Sequence, residues 1–170
     1  MNNNTTNILE QFEKINTLIF DIDGVLTTDD SHLTADGELV RTMNIKDGYA
    51  LQLAIKEGFN VWIISAGKSV PAQNRLLKLG LKEVHIAVGD KGKLMETLME
   101  KYQVGFDTVL YMGDDMPDIK PIELALIGAC PQDACSDVKN ISNYISPIGG
   151  GRGCVRDVIE KVMKSQAKWK

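Results

Sequence analysis

The chain has 170 residues, 44% of them hydrophobic and 25% charged, with a formal net charge of −4 and a pI near 5.2. That length suits one domain with a full core, and the acidic balance excludes a general attraction to nucleic acid or anionic membrane. No apolar run approaches the ~20 residues of a membrane-spanning helix, the polar start at residues 1–7 carries no signal-peptide pattern, and three cysteines (Cys130, Cys135, Cys154) fit a reducing, cytoplasmic setting better than a disulfide framework. Zinc is disfavoured, since His32 and His85 lie far from those cysteines in sequence; both histidines are expected on the surface or in strands.

In chain order, residues 1–12 read as a disordered or loosely attached lead-in. Residues 16–20 form a short buried strand that runs into Asp21, Asp23 and Gly24. Residues 28–44 carry the Asp36-Gly37 hairpin signal and read as a flap. A helix is predicted from Asp47 to the Glu57-Gly58 stop, on the stripe Ala50, Leu51, Leu53, Ala54 and Ile55. Residues 59–64 form a second strand ending at Ser65. A helix follows over 70–79, with Pro71 tolerated in its first turn. Further elements are a strand at 83–87, a helix over 91–102, a strand at 108–112 ending at Gly113-Asp114-Asp115, a helix over 117–123, and strands near 124–129 and 142–145. A glycine-rich loop at 149–153 precedes an amphipathic helix over 154–164.

Strand and helix alternate after the hairpin. This predicts an α/β fold, a three-layer Rossmann-like parallel sheet with helices on both faces. Ligands bind such sheets beyond the carboxyl ends of the strands. Asp21, Asp23, Ser65, Asp114 and Asp115 all fall at predicted strand ends, so one edge gathers four carboxylates and a hydroxyl. In an extended chain the i, i+2 pair Asp21 and Asp23 faces one crevice. An oxygen-only cluster of this kind suits Mg²⁺. Lys91 and Lys93, at a helix start after Gly89-Asp90, are candidates for a phosphate site. The chemistry that uses these groups is phosphoryl transfer. Asp21 attacks phosphorus, Asp23 acts as general acid and then base, and Ser65 and Lys93 stabilise charge on the transferring oxygens.

Four motifs in order carry a resemblance: Asp21-Ile22-Asp23-Gly24-Val25-Leu26, Ser65, Lys93, and Gly113-Asp114-Asp115-Met116-Pro117-Asp118. Together they resemble the haloacid dehalogenase superfamily. The resemblance implies Mg²⁺ held by the Asp21 and Asp114 carboxylates and the main-chain carbonyl of Asp23. It leaves the Asp23 side chain for proton transfer, and Asp115 and Asp118 to orient Lys93 or metal-bound water. Only ~40 residues separate the first two motifs, too few for a cap domain. The chain is therefore similar to the capless subfamily that contains 3-deoxy-D-manno-octulosonate 8-phosphate (KDO 8-phosphate) phosphatase. Lys46-Asp47-Gly48-Tyr49, Lys68-Ser69 and the Gly150-Gly151-Arg152-Gly153 tail support that placement.

The subfamily implies a single phosphatase domain over 1–170, with a flap at 28–44 and a tail at 149–170 covering the site. It further implies a homotetramer in which flaps pack together, a sugar-acid phosphate substrate, and a place in lipopolysaccharide sugar synthesis. Substrate contacts are expected from Lys46, Asp47, Gly48, Ala66, Gly67, Arg75, Lys78 and Arg152. One departure stands out: Ser65-Ala66-Gly67 replaces the usual Thr-Gly-Arg, which keeps the hydroxyl and loses a cation. A 2-keto-3-deoxy-nonulosonate 9-phosphate phosphatase, a non-catalytic oligomerisation module and a phospho-receiver domain remain as alternatives.

Overall fold

The computed structural model describes residues 7–170. Six parallel strands form one sheet in the order β5-β4-β1-β6-β7-β8. They are β1 (Thr17–Phe20), β4 (Asn60–Ile64), β5 (Glu83–His85), β6 (Val109–Met112), β7 (Ile127–Cys130) and β8 (Tyr144–Ile145). The flap is a separate antiparallel pair, β2 (His32–Leu33) and β3 (Leu39–Val40), closed at its base by a bridge between Thr27 and Met43. Seven helices complete the described chain: α1 (Ile8–Lys14), α2 (Ile45–Lys56), α3 (Val70–Lys78), α4 (Lys91–Tyr102), α5 (Ile119–Leu124), α6 (Ser136–Ile141) and α7 (Cys154–Ser165). The predicted three-layer α/β architecture is the observed one.

The interior strand β1 pairs with β4 on one side and β6 on the other, and all four of its residues are buried. Alternation along the strands divides the core in two. Leu18 and Phe20 join Val61, Ile63, Leu110 and Met112 under α1, α2, α3 and α7. Ile19 joins Trp62, Ile64, Val109 and Tyr111 under α4, α5 and α6. The α7 stripe Val155, Val158, Ile159, Val162 and Met163 is fully buried, so this helix is core.

Three expectations change. The lead-in reading falls partly on residues 1–6, which lie outside the described residues, but Ile8–Lys14 is a helix capped by the Asn7 side chain. Phe12 is 1% exposed, and Gln166 beyond α7 donates to the carbonyls of Phe12 and Ile15 at 3.1 and 2.7 Å. The predicted helix at 117–123 is a 3₁₀ turn, Met116–Asp118, leading into α5, and the strand after it begins only at Ile127. The short helix α6 was not foreseen.

The glycine-rich segment at 149–153 packs behind the turn that follows β1. Gly151 N donates to Val25 O at 2.8 Å, and Cys154 Sγ donates to the same carbonyl. A Cβ on Gly150 would lie 2.0 Å from Gly24 O, and one on Gly151 2.3 Å from Thr28 N. Only glycine permits that approach. The tail therefore packs behind the turn that follows β1 rather than lying over it as a lid.

Truncating Phe12 to alanine removes a fully buried ring from the contact between α1 and the core. We expect a loss of about 3 kcal/mol in unfolding free energy, measured by urea titration. A lead-in that contributes nothing to the core would give no change.

Candidate active site

The sheet delivers the site. Phe20 ends β1 between Ile63 and Met112, and Asp21 N donates to Met112 O at 3.1 Å, so the Asp21 carboxylate emerges at the sheet's carboxyl edge. Gly24, at φ 76°, turns the chain there. A Cβ at that position would lie 2.0 Å from Asp114 Oδ2. A glycine is therefore needed both for the turn and for the neighbouring carboxylate. Asp114 follows β6, the strand beside β1, and Ser65 follows β4 on the other side. A pocket of about 270 Å³ opens between them, lined by Asp21, Asp23, Ser65, Ala66, Gly67, Lys91, Asp114, Asp115 and Asp118 among others.

Lys91 is the centre of the charge arrangement. Its Nζ donates to Asp21 Oδ2 at 2.6 Å and to Asp118 Oδ1 at 2.7 Å, and its side chain is 2% exposed. Burial would lower its ammonium, but Asp21 and Asp118 outweigh that and hold it above the ordinary lysine value. Tyr111, wholly buried in β6, donates its hydroxyl to Asp118 Oδ1 at 2.5 Å. Asp118 Oδ2 accepts from Asp114 N at 3.2 Å. Both oxygens of Asp118 are thus engaged, and its task is to hold the lysine.

The expected lysine was Lys93, and the structure corrects this. Lys93 is exposed, and its backbone N–H caps α4 by donating to Asp90 Oδ1 at 2.9 Å. Residues two apart on a helix point about 200° apart, so only one of the two can face the site. Lys91 shares the buried face with Met95, Leu98 and Met99.

Asp21, Asp114 and Asp118 bring one oxygen each to within 4.8 Å of one another. Burial, with the charges of Asp21 and Asp118, pushes Asp114 up to about 8. Burial and Asp118 raise Asp21 to about 6 against the lowering effect of Lys91. One ammonium faces three acids, and the donor set is oxygen only. That surplus of negative charge fits a hard divalent cation such as Mg²⁺. The Asp114 carboxylate accepts no hydrogen bond among the described residues, which leaves its lone pairs for such an ion.

The Asp23 side chain takes no part in that triad. It turns towards the flap, where Arg41 holds it: Nε reaches Oδ1 at 2.5 Å and Nη2 reaches Oδ2 at 3.2 Å. Ser65 is buried at the end of β4, and its Oγ accepts from Gly67 N at 3.2 Å, which shapes the Ser65-Ala66-Gly67 turn. Asp115 is exposed on the pocket rim.

Six of the expected substrate residues do not line this pocket. Lys46, Arg75, Lys78 and Arg152 are exposed. Lys46 and Arg152 flank a separate cavity of about 490 Å³ beside α7. Asp47 is buried and accepts from Arg156 N at 2.7 Å, which ties α2 to the first turn of α7, and burial raises it to about 6. Gly48 packs beside Leu79 and Arg75. Within one chain, only Ala66 and Gly67 of that set reach the catalytic pocket. Tyr111 and Arg41 are the site residues that the sequence reading missed, and of the two candidate lysines it is Lys91 that takes the place the motif order gave to Lys93.

Comparison with known proteins agrees with this geometry. Residues 78–149 match the haloacid dehalogenase-like hydrolase family. The 3-deoxy-D-manno-octulosonate 8-phosphate phosphatase of Salmonella typhi is 31% identical over 166 residues, 96% of this chain and 87% of that protein. The enzyme of the same name from Escherichia coli K12 is 30% identical over an equal span. A crystal structure of 3-deoxy-D-manno-octulosonate 8-phosphate phosphatase from Moraxella catarrhalis, in complex with magnesium ion, phosphate ion and KDO, is similar with a TM-score of 0.92 at 27% identity. The match covers 97% of this chain and 95% of that one. The chain belongs to the haloacid dehalogenase-like hydrolases and, within them, to the family of these sugar-acid phosphatases, which makes it a phosphomonoester hydrolase.

Two measurements test the site. Lys91→Ala is expected to lower kcat about a hundredfold or more, while Lys93→Ala stays within about twofold of the parent, a contrast read directly from steady-state rates. The raised acids also set a pH dependence. With EDTA present, the folded chain keeps protons on Asp114 and Asp21 that the unfolded chain releases near pH 3.8, so stability falls as pH rises from about 4 to 8. Urea midpoints at pH 5 and pH 8 should show that fall, and Asp114→Asn should remove most of it.

Proposed function

We propose that this protein is a Mg²⁺-dependent phosphatase of KDO 8-phosphate, releasing KDO and inorganic phosphate through an aspartyl-phosphate on Asp21. The observation that carries the reading is the cluster of Asp21, Asp114 and Asp118 around Lys91, in a chain similar to the named phosphatases along 96% of its length. Asp21 and Asp114, with the main-chain carbonyl of Asp23, would hold the cation. When bound, it offsets the repulsion between the carboxylates and the phosphoryl group.

The chain's own groups supply the remainder. The Asp21 carboxylate, its Oδ2 held by Lys91 and its Oδ1 by Ile22 N–H, each at 2.6 Å, attacks phosphorus through one oxygen and the ester P–O bond breaks. The leaving alkoxide takes a proton from Asp23. Water then attacks the acyl-phosphate, gives its proton back to Asp23, and Asp21 is regenerated as carboxylate. Lys91 Nζ and Ser65 Oγ donate to the transferring oxygens. Asp118 and Tyr111 keep Lys91 aimed while this happens.

Lys46, Arg75, Lys78 and Arg152 would reach the sugar acid from a neighbouring subunit of a homotetramer. The exposed flap residues Leu33, Leu39 and Val40 support that assembly, since an apolar hairpin edge left in water is a pairing hazard. Three unpaired cysteines suit a cytoplasmic setting, and the product suits lipopolysaccharide sugar synthesis. No helix among the described residues is long and apolar enough to cross a membrane.

Phosphate release from a panel of sugar phosphates with Mg²⁺ decides the reading. Turnover of KDO 8-phosphate is expected, suppressed by EDTA and abolished by Asp21→Asn. Preference for the nine-carbon 2-keto-3-deoxy-nonulosonate 9-phosphate would move the assignment to that substrate. Release from neither would overturn it.

A further inference from the structure

Asp23 is the group that must meet the leaving oxygen of the substrate, yet both of its carboxylate oxygens are already engaged by Arg41. This pair joins the flap to the catalytic turn, and it is the one ion pair that Asp23 makes among the described residues. The exposures are unequal: 15% for the Arg41 side chain and 42% for that of Asp23. The guanidinium is therefore covered by the flap, while the acid stays open to the pocket from which an ester would approach.

Position 67 is built around the same pair. A Cβ on Gly67 would lie 2.4 Å from Asp23 Oδ2. With a Cβ at 67, either Asp23 or the turn has to shift from the arrangement in which Asp23 faces Arg41. On its other side, Arg41 lines a groove of about 990 Å³ between the flap and the start of α3, where Lys68 also lies. The guanidinium thus stands between the catalytic pocket and a space into which it can turn. It rests on strands of two residues each, which are marginal by themselves and cheap to shift.

We infer that Arg41 is a specificity-determining residue: productive binding transfers its guanidinium from Asp23 to a carboxylate on the organic part of the phosphomonoester. An ester oxygen can hydrogen-bond to Asp23 only if Arg41 gives up at least one of its bonds there. A guanidinium stripped of its carboxylate partner in a half-buried place is costly, because Nε and Nη2 are left unpaired and only Nη1 keeps a partner, the Leu39 carbonyl at 3.2 Å. A substrate that carries its own carboxylate supplies a replacement, so the exchange is close to balanced. A neutral sugar phosphate supplies none and bears the whole cost. Discrimination then comes from the penalty on the wrong substrate as much as from attraction to the right one. The inference rests on the phosphatase reading above and names how that site tells acid-bearing esters from neutral ones.

The experiment compares kcat/KM for KDO 8-phosphate with that for a neutral sugar phosphate, D-arabinose 5-phosphate, in the parent and in Arg41→Gln, Arg41→Lys and Gly67→Ala. Arg41→Gln should lower kcat/KM for the acid by about tenfold or more, through KM, and raise it for the neutral ester by about threefold. Arg41→Lys keeps the charge without the fork and should fall between. Gly67→Ala displaces the proton donor Asp23 with Arg41 intact and, unlike the Arg41 variants, should lower kcat on both esters together. The opposite signs expected of Arg41→Gln cannot come from general damage to the fold. In the Arg41 variants, a parallel fall on both esters, or an unchanged ratio, would overturn the inference. If the parent turns over another acid-bearing ester in place of KDO 8-phosphate, the substrate reading fails, and the ratio of that ester to its neutral counterpart decides the role of Arg41 in the same way.

Discussion

The structure depends on one buried contact, the ammonium of Lys91 held between Asp21 and Asp118. Three carboxylates at one sheet edge repel each other and lose water, and a cation among them offsets part of that cost. Lys91 supplies one positive charge, which is less than the acids require. The remaining imbalance raises Asp114 and Asp21, and it is what makes the edge receptive to a divalent ion. Structural need and chemical use are thus the same fact. A site fully neutralised by its own side chains would be more stable and would have little hold on a metal.

The surroundings serve that contact. The parallel sheet sets the three acids through the ends of adjacent strands, with β1 between β4 and β6. Tyr111 fixes Asp118 from inside the core, and Asp118 fixes Lys91. Every member of this chain of bonds is buried, so its geometry is inherited from the rigid interior and not from mobile loops. The opposite holds for Asp23, whose partner sits on a two-strand flap. Asp21 is anchored by the core, whereas the Asp23 side chain is held from a two-strand flap outside the main sheet.

Much of this was legible in the sequence. Alternating strand and helix signals gave the layers, and carboxylates placed just after apolar runs marked the sheet edge. Lys93 was chosen over Lys91 by motif order alone. Helix phase pointed the other way, because Lys91 lies four and seven residues before the apolar Met95 and Leu98. The helix at 8–14 also had a signal, in Ile8, Phe12 and Ile15 at i, i+4 and i+7, obscured by the polar stretch before it. Tyr111 had none: an aromatic in a strand looks like core packing, and only its hydroxyl contact shows otherwise. Arg41 reaches Asp23 across eighteen residues and an intervening hairpin, a pairing that no local pattern encodes. The helix at 136–141 is six residues long and largely polar, too short to establish a period.

The glycines at 150 and 151 have a consequence for how the protein comes into being. They press against Gly24, Thr27 and Thr28, and the amide of Gly151 satisfies the carbonyl of Val25. The turn carrying Asp21 emerges from the ribosome long before the glycines that back it are made. Until then the Val25 carbonyl lacks the Gly151 amide and the Cys154 thiol. A chain that stops before those glycines therefore carries the acidic groups without the backing of their turn, and the turn is complete only once Gly150 and Gly151 have been made.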